Sequence, residues 1–202
     1  MQTVNSRSPR FITLDELQRV MEWKLIRGKD RPMLRGLVTR NSKDSVEKNS
    51  RLALQHLENG DWKEAIVAMT VLVGVGPATA SATLAPFDGE LCPFMADEVL
   101  EATTSRKREY TLKAYESMRN ALRKKAIELN KGEKLLRQIN FDAEFVGKCL
   151  WSAAMVSVYD IKVEKMAPPV EHFSSSSARK RTAREDVDRS ISKRPKSKEL
   201  CL

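Results

Sequence analysis

One run of nine residues, Leu72-Val73-Gly74-Val75-Gly76-Pro77-Ala78-Thr79-Ala80, constrains this chain more than any other. An apolar stretch ends at Leu72, and two glycines then allow a sharp reversal, because they adopt backbone angles that a side chain penalises. Pro77 suits the first turn of a following helix, where a missing amide hydrogen costs little. Ala78, Ala80 and Ala82 are small enough for that helix to pack closely. The run therefore predicts two apolar helices joined by a tight glycine turn. The first amides of the second helix lack intrahelical acceptors and form a natural site for an anion such as a backbone phosphate.

The rest of the chain reads as helical throughout. Thr13-Leu14-Asp15-Glu16 is a capping box, with Ile12 and Leu17 placed for the accompanying staple. It opens a helix through about Arg27 whose Leu14, Leu17, Met21 and Leu25 share one face. A short helix from Arg31 to Thr39 has Pro32 in its first turn, and Ser42 caps the next, which runs to about Glu58. Asn59-Gly60-Asp61 ends that helix and starts Trp62 to Leu72, the first arm of the hairpin; Pro77 to Leu84 is the second. Pro86 to Pro93 reads as a loop. Helical patterns resume over Met95 to Thr104, Tyr110 to Asn130 and Asp142 to Asp160. No segment sustains the two-residue alternation of a strand, so the fold class is all-α.

The 202 residues suit one domain with extensions, and a net charge of +9 favours a polyanionic partner. Cys92, Cys149 and Cys201 lie far apart, with neither zinc spacing nor an even disulfide framework, which points to a reducing compartment. No signal-peptide pattern opens the sequence. Its longest apolar stretch, Ala65 to Val75, is too short to span a bilayer. The expectation is a protein without membrane, metal or cofactor, and a monomer.

The 72–80 run resembles the helix-hairpin-helix of the DNA glycosylase superfamily, whose core reads Leu-x-Gly-Val-Gly-x-x-Thr-Ala. Val73 stands where that family usually has proline. The resemblance implies a helical glycosylase-like domain that binds DNA backbone without sequence preference through Gly74, Val75, Gly76, Ala78 and Thr79. The match is specific over about residues 60–105. Three cysteines are too few for the four-cysteine iron–sulfur cluster of some members.

The family also carries an aspartate about twenty residues beyond the second hairpin glycine, after a proline and two or three apolar residues. Asp97 lies twenty-one positions after Gly76, within Pro93-Phe94-Met95-Ala96-Asp97. By resemblance it is the catalytic candidate. It would face a flipped-out nucleotide and stabilise positive charge on the sugar as the base leaves. A plain alternative stays open, that Asp97 is a helix cap.

Two departures bear on the chemistry. Members that also cut the strand have lysine where this chain has Ala78, so any glycosylase would be of the simple hydrolytic kind, without lyase activity. Glu98-Val99-Leu100 departs from the small or polar residue, His or Asn, and apolar residue usual after the aspartate, and it adds a carboxylate beside the groove.

Arg106, Lys107 and Arg108 are the preferred basic contacts to DNA backbone, because they lie close in sequence to Asp97. Lys24, Arg27, Lys29 and Arg31 around the Gly28 turn, and Arg119, Arg123 and Lys124, are further basic groups. Trp23, Trp62, Tyr110, Tyr115, Trp151 and Tyr159 are the rings from which a base pocket would draw, each equally readable as core. His56 and His172 have no partner spacing for metal or triad chemistry.

From Pro168 onward the chain holds nine basic and five acidic residues and little apolar content, so disorder is expected. Arg179-Lys180-Arg181 and Lys193-Arg194-Pro195-Lys196 resemble a bipartite nuclear localisation signal, which implies a nuclear import receptor as partner and the nucleus as location. The expected organisation is a flexible N-terminus over 1–10, a helical domain over 11–165 with its hairpin at 61–85, and a disordered basic tail over 166–202. Two competing functions share these features: a non-enzymatic helix-hairpin-helix module that binds DNA or protein, and an all-α nuclear adaptor with a purely structural turn.

Overall fold

The computed structural model describes residues 2–104, 108–131 and 140–159, and among them every regular element is an α-helix. Contacts divide the chain into Met1–Val163 and Glu164–Leu202, and all described residues belong to the first unit. Both basic clusters of the tail, Arg179–Arg181 and Lys193–Lys196, lie outside the described residues.

The chain opens with a single turn, α1 (Gln2–Asn5). Val4 is buried, and the Arg7 guanidinium donates to both oxygens of Glu16 at 2.8 and 3.0 Å. The polar opening segment is thus held more closely than its composition suggests. In α2 (Leu14–Arg27) the capping box is complete: the Glu16 amide donates to Thr13 Oγ1 and the Thr13 amide to Glu16 Oε2. Leu17, Met21 and Leu25 form its buried face. Then follow α3 (Pro32–Val38) and α4 (Lys43–Glu58), the latter capped by Ser42. The hairpin arms are α5 (Trp62–Thr70) and α6 (Pro77–Leu84).

Beyond the loop come α7 (Asp97–Thr103), α8 (Leu112–Asn130) and α9 (Ala143–Val158). Two of these start later than the periodicity predicts. The Met95 amide donates to Ser81 Oγ and the Tyr115 hydroxyl to the Pro93 carbonyl, which holds residues 93–96 in a loop across α6 and α8. Thr111 caps α8 by accepting the Ala114 amide, so Tyr110 is left outside the helix and free to turn toward α7.

The centre of the fold is α6. Every residue from Ala78 to Leu84 is buried, and α2, α5 and α8 pack around it. Small side chains on all faces permit this enclosure, and the hydroxyls of Ser81 and Thr83 are satisfied within the fold. Thr83 Oγ1 donates to the Thr79 carbonyl at 2.8 Å, and Ser81 Oγ donates to Ala78 while accepting from Met95. Leu17, Met21, Ile66, Met69 and Tyr115, from the helices packed on it, are sealed in the core. Each such aliphatic side chain contributes roughly 2 kcal/mol by leaving water.

Candidate functional site

The hairpin turn is locked from outside. Gly74 has φ +78°, and a β-carbon there would lie 2.8 Å from Leu37 Cβ and 3.1 Å from the Val38 amide nitrogen. Only glycine meets both conditions without strain. Across from it, the buried Asn41 side chain donates to the carbonyls of Val38 and Val73, both at 2.9 Å, and accepts the Val73 amide at 2.8 Å. Asn41 follows α3 and pins a turn thirty-two residues later. Sequence reasoning missed it, since asparagine after a helix reads as an ordinary turn residue and nothing pairs it with Val73.

The five hairpin positions expected to contact backbone phosphates divide into two groups. The Val75 amide donates to Leu72 and the Thr79 amide to Gly76, so neither is available to a ligand. The amides of Gly74, Gly76 and Ala78 have no acceptor among the described residues. Val75, Ala78 and Thr79 turn their side chains inward, at 5, 9 and 3% exposure, while Gly76 is exposed. Three main-chain donors of the turn are thus left without an acceptor, whereas the Val75 and Thr79 amides are engaged within the fold.

Asp97 is the first residue of α7, with Ala96 in the cap position, and no side chain caps this helix. Its carboxylate serves a different contact. Tyr110 donates its hydroxyl to Asp97 Oδ1 at 2.8 Å, and Arg31 Nη2 donates to the same hydroxyl at 2.8 Å. Arg108 Nη1 approaches Asp97 Oδ2 at 3.4 Å. The carboxylate is consequently fixed in direction by groups from beyond its own helix, and the plain capping role is not what it does.

Asp97 lines a small recess of about 40 Å³. Ala78, from the first turn of α6, lines the same recess, as do Lys24, Arg27, Lys29 and Arg31 from the end of α2 and the segment after it. Phe94, Tyr110 and Trp151 give it aromatic walls. The electrostatics follow from this crowding. Burial pulls the Lys24 ammonium below its ordinary value, Arg31 adds to the effect by repulsion, and Asp97 opposes it. Burial likewise lowers Arg27, against the attraction of Glu144 and Glu98. The Tyr110 hydroxyl is raised by burial and by its bond to Asp97, with Arg31 opposing.

The cations gathered here are not those that sequence proximity favoured. Arg106 and Lys107 lie outside the described residues. Arg108 is directed onto Glu101 and Asp97 rather than offered to a phosphate. Arg119 is buried, stacked 4.6 Å over Trp62 and bonded to the Leu91 carbonyl, and Arg123 pairs with Glu90. The Gly28 turn delivers the basic rim instead. No sequence signal ranked it first, because α2 and α7 are far apart in the chain.

Of the candidate rings, Tyr110 and Trp151 reach the recess, joined by Phe94. Trp62 and Tyr115 stack on each other at 5.8 Å in the core, and Tyr159 is exposed. Burial pushes the Cys92 thiol up to about 12, so it is an inert core group. No cluster of metal-ligating side chains occurs among the described residues, and none of their helices is long and apolar enough to cross a membrane. His172 and Cys201 lie outside the described residues. No family model, curated protein or solved structure matches the chain.

Proposed function

We propose that this protein binds the backbone of duplex DNA without sequence preference and hydrolyses the N-glycosidic bond of a damaged or mismatched base. The observation that carries the reading is a shared recess: Ala78, whose amide is unpaired beside that of Gly76, and the oriented Asp97 carboxylate line the same concavity. Lys29 and Arg31 on its rim add the cations that make such binding electrostatic.

In this reading the three hairpin amides hold a phosphate, and a nucleotide swung out of the stack lies over the mouth of the recess with its sugar toward Asp97. Departure of the base leaves positive charge on the deoxyribose, which the Asp97 carboxylate stabilises. The base leaves with the bonding electron pair, a water adds at C1′, and the proton it loses passes by way of the same carboxylate to the departed base, giving the free base and an abasic sugar. Tyr110 and Arg31 act as positioning residues for that carboxylate. Ala78 supplies no amine where strand-cutting relatives of the resembled family have lysine, so the proposed chemistry is hydrolytic. The glycosylase-like fold and the helix-hairpin-helix assignment belong to this proposal, as do nuclear location and an import receptor for the tail.

A second reading has one observation in its favour. Arg108 and Tyr110 occupy both oxygens of Asp97, as they would in a binding module that has given up catalysis. Two experiments decide. Wild type and Gly76→Asp are compared for binding to a labelled duplex across a salt series. Affinity should fall steeply with salt, and by about tenfold or more in the variant through like-charge repulsion at the amides. Salt-insensitive binding, or none, removes DNA from the reading and favours the adaptor. Wild type and Asp97→Asn are then assayed on duplexes carrying a panel of lesions, with alkali to reveal abasic sites. Activity lost in Asp97→Asn supports hydrolysis, activity retained removes Asp97 from the chemistry, and no activity on any lesion leaves the binding module.

A further inference from the structure

Two runs of more than ten residues in this sequence carry no charge: Ala65 to Phe87, and Cys149 to Tyr159. The first is the hairpin, and its helix α6 is enclosed on all sides. The second makes up the later turns of α9 and stays open. Of the sixteen residues of α9 only Ala143, Val146 and Gly147 are buried, and α7 and α8 are the helices packed against it. A helix that is apolar on every side belongs in an interior, so the outer side of α9 lacks a cover.

The spacing on that outer side is regular. Phe145, Cys149, Ser152, Val156 and Tyr159 follow at intervals of four, three, four and three residues, the repeat by which one helix lies along another. Phe145, at 41%, Cys149, Ser152 and Tyr159, at 70%, are exposed, and Val156 is half-buried. The two rings stand at the ends of this seam and the small Ser152 side chain at its middle, seven residues from each. Laid antiparallel across a second copy at Ser152, the seam therefore matches itself. The helices approach closely at the centre, and Phe145 of each meets Tyr159 of the other.

Charge selects the same partner. With a net charge of +9, two copies repel wherever their basic surfaces meet, and this seam offers no charge to repel. The flanking Glu144 and Lys148 pair with each other at 3.6 Å within the helix. A nucleic acid or an acidic protein gains nothing from a face without a cation. The seam is about four turns long, so the contact falls at the small end of specific interfaces and predicts association in about the micromolar range.

We propose that α9 is a self-association helix: two copies of this chain pair through the Phe145–Tyr159 seam, antiparallel about a two-fold axis at Ser152, in place of the monomer that the sequence suggests. The inference is independent of DNA binding.

Sedimentation equilibrium of the full chain in reducing buffer, from about 1 to about 200 μM, tests it. Wild type should rise from the 22.9 kDa of one chain toward twice that mass. Ser152→Glu sets two carboxylates against each other at the axis and should weaken pairing by about tenfold or more. Cys149→Asp, one turn away, is a second such variant. Both positions are exposed, and thermal melts show that each variant is folded. A wild type that stays monomeric throughout overturns the inference and leaves the face to a different partner. A wild-type dimer that persists unchanged in the folded variants overturns it as well, since the interface then lies elsewhere. A third measurement leaves the seam intact. In Cys201→Ser, where Cys92 is buried, a maleimide reads Cys149 alone, and its labelling should slow severalfold from the lowest to the highest concentration. A rate independent of concentration ends the proposal.

Discussion

At Val73 and Val75 the main-chain groups of the hairpin are matched: the Val73 amide and carbonyl both meet Asn41, and the Val75 amide meets Leu72. Around Arg27 the opposite holds. Arg27 Nε and Trp151 Nε1 are buried without acceptors, Lys24 is held below its ordinary value by burial, and cations outnumber the carboxylates that could pair with them. The two regions meet at the start of α6, where Ala78 belongs to both. A chain selected only to fold would satisfy the second region as fully as the first. The difference marks the Asn41-clamped part of the turn as scaffold and the recess as the less fully satisfied region.

The largest effect should come from the scaffold side. Gly74→Ala forces a β-carbon to 2.8 Å from Leu37 Cβ at a φ of +78°. Strain and displacement of α3 together should cost roughly 3 kcal/mol and lower Tm by many degrees. Asn41→Ala comes next. It leaves both polar groups of Val73 unpaired in a partly buried turn, for a loss of roughly 2 kcal/mol by denaturant titration. A stable Asn41→Ala variant would show that the turn stands without its clamp and would dissolve the contrast.

How far the sequence disclosed each region follows the same line. The helices were legible because their signals are local: the Thr13–Glu16 box, Ser42, Pro77 and the Leu17–Met21–Leu25 face each act within a turn or two. Gly74 and Asp97 were legible as positions in a motif, and the local residues also reveal where α6 begins. The recess was not, because its walls come from α2, the segment after it, the loop before α7, Tyr110 and α9. Sequence proximity favoured Arg108 as a phosphate contact, yet the fold turns it onto Glu101 and Asp97. Lys24 and Arg27 share a recess with Asp97 because α2 packs on α6. Phe94 and Trp151 are equally anonymous in a list of rings, and an orphaned indole nitrogen is a property of packing that no spacing predicts.

On the recess side the sign of the effect should reverse. The Lys24 ammonium sits below its ordinary value of 10.5 in the folded chain, chiefly through burial, so the unfolded chain binds that proton more tightly. By linkage this residue opposes folding wherever the unfolded lysine is protonated, and the penalty fades as the pH rises toward 10.5. Lys24→Met should therefore raise Tm near neutral pH by about a few degrees, with the gain shrinking in alkaline buffer, while affinity for a duplex falls. A variant less stable than wild type near neutral pH would mean that Lys24 is scaffold after all.

The smallest change in stability belongs to the second glycine of the turn, and it sharpens the comparison most. Gly76 has extended backbone angles, φ −98° and ψ −178°, and a β-carbon built on it meets nothing within 4 Å. The fold makes no demand for glycine there, in contrast to Gly74. Gly76→Ala should leave the folding free energy within about 0.5 kcal/mol of wild type, or raise it slightly by restricting the unfolded chain. What a methyl group at 76 obstructs is the approach of an outside group to the unpaired amides of Gly76 and Ala78. Duplex affinity should accordingly drop severalfold at unchanged Tm, measured by anisotropy at a fixed salt concentration. If affinity and Tm both hold, the glycine is incidental and the hairpin amides are not the phosphate site; if both fall together, position 76 belongs to the scaffold with Gly74.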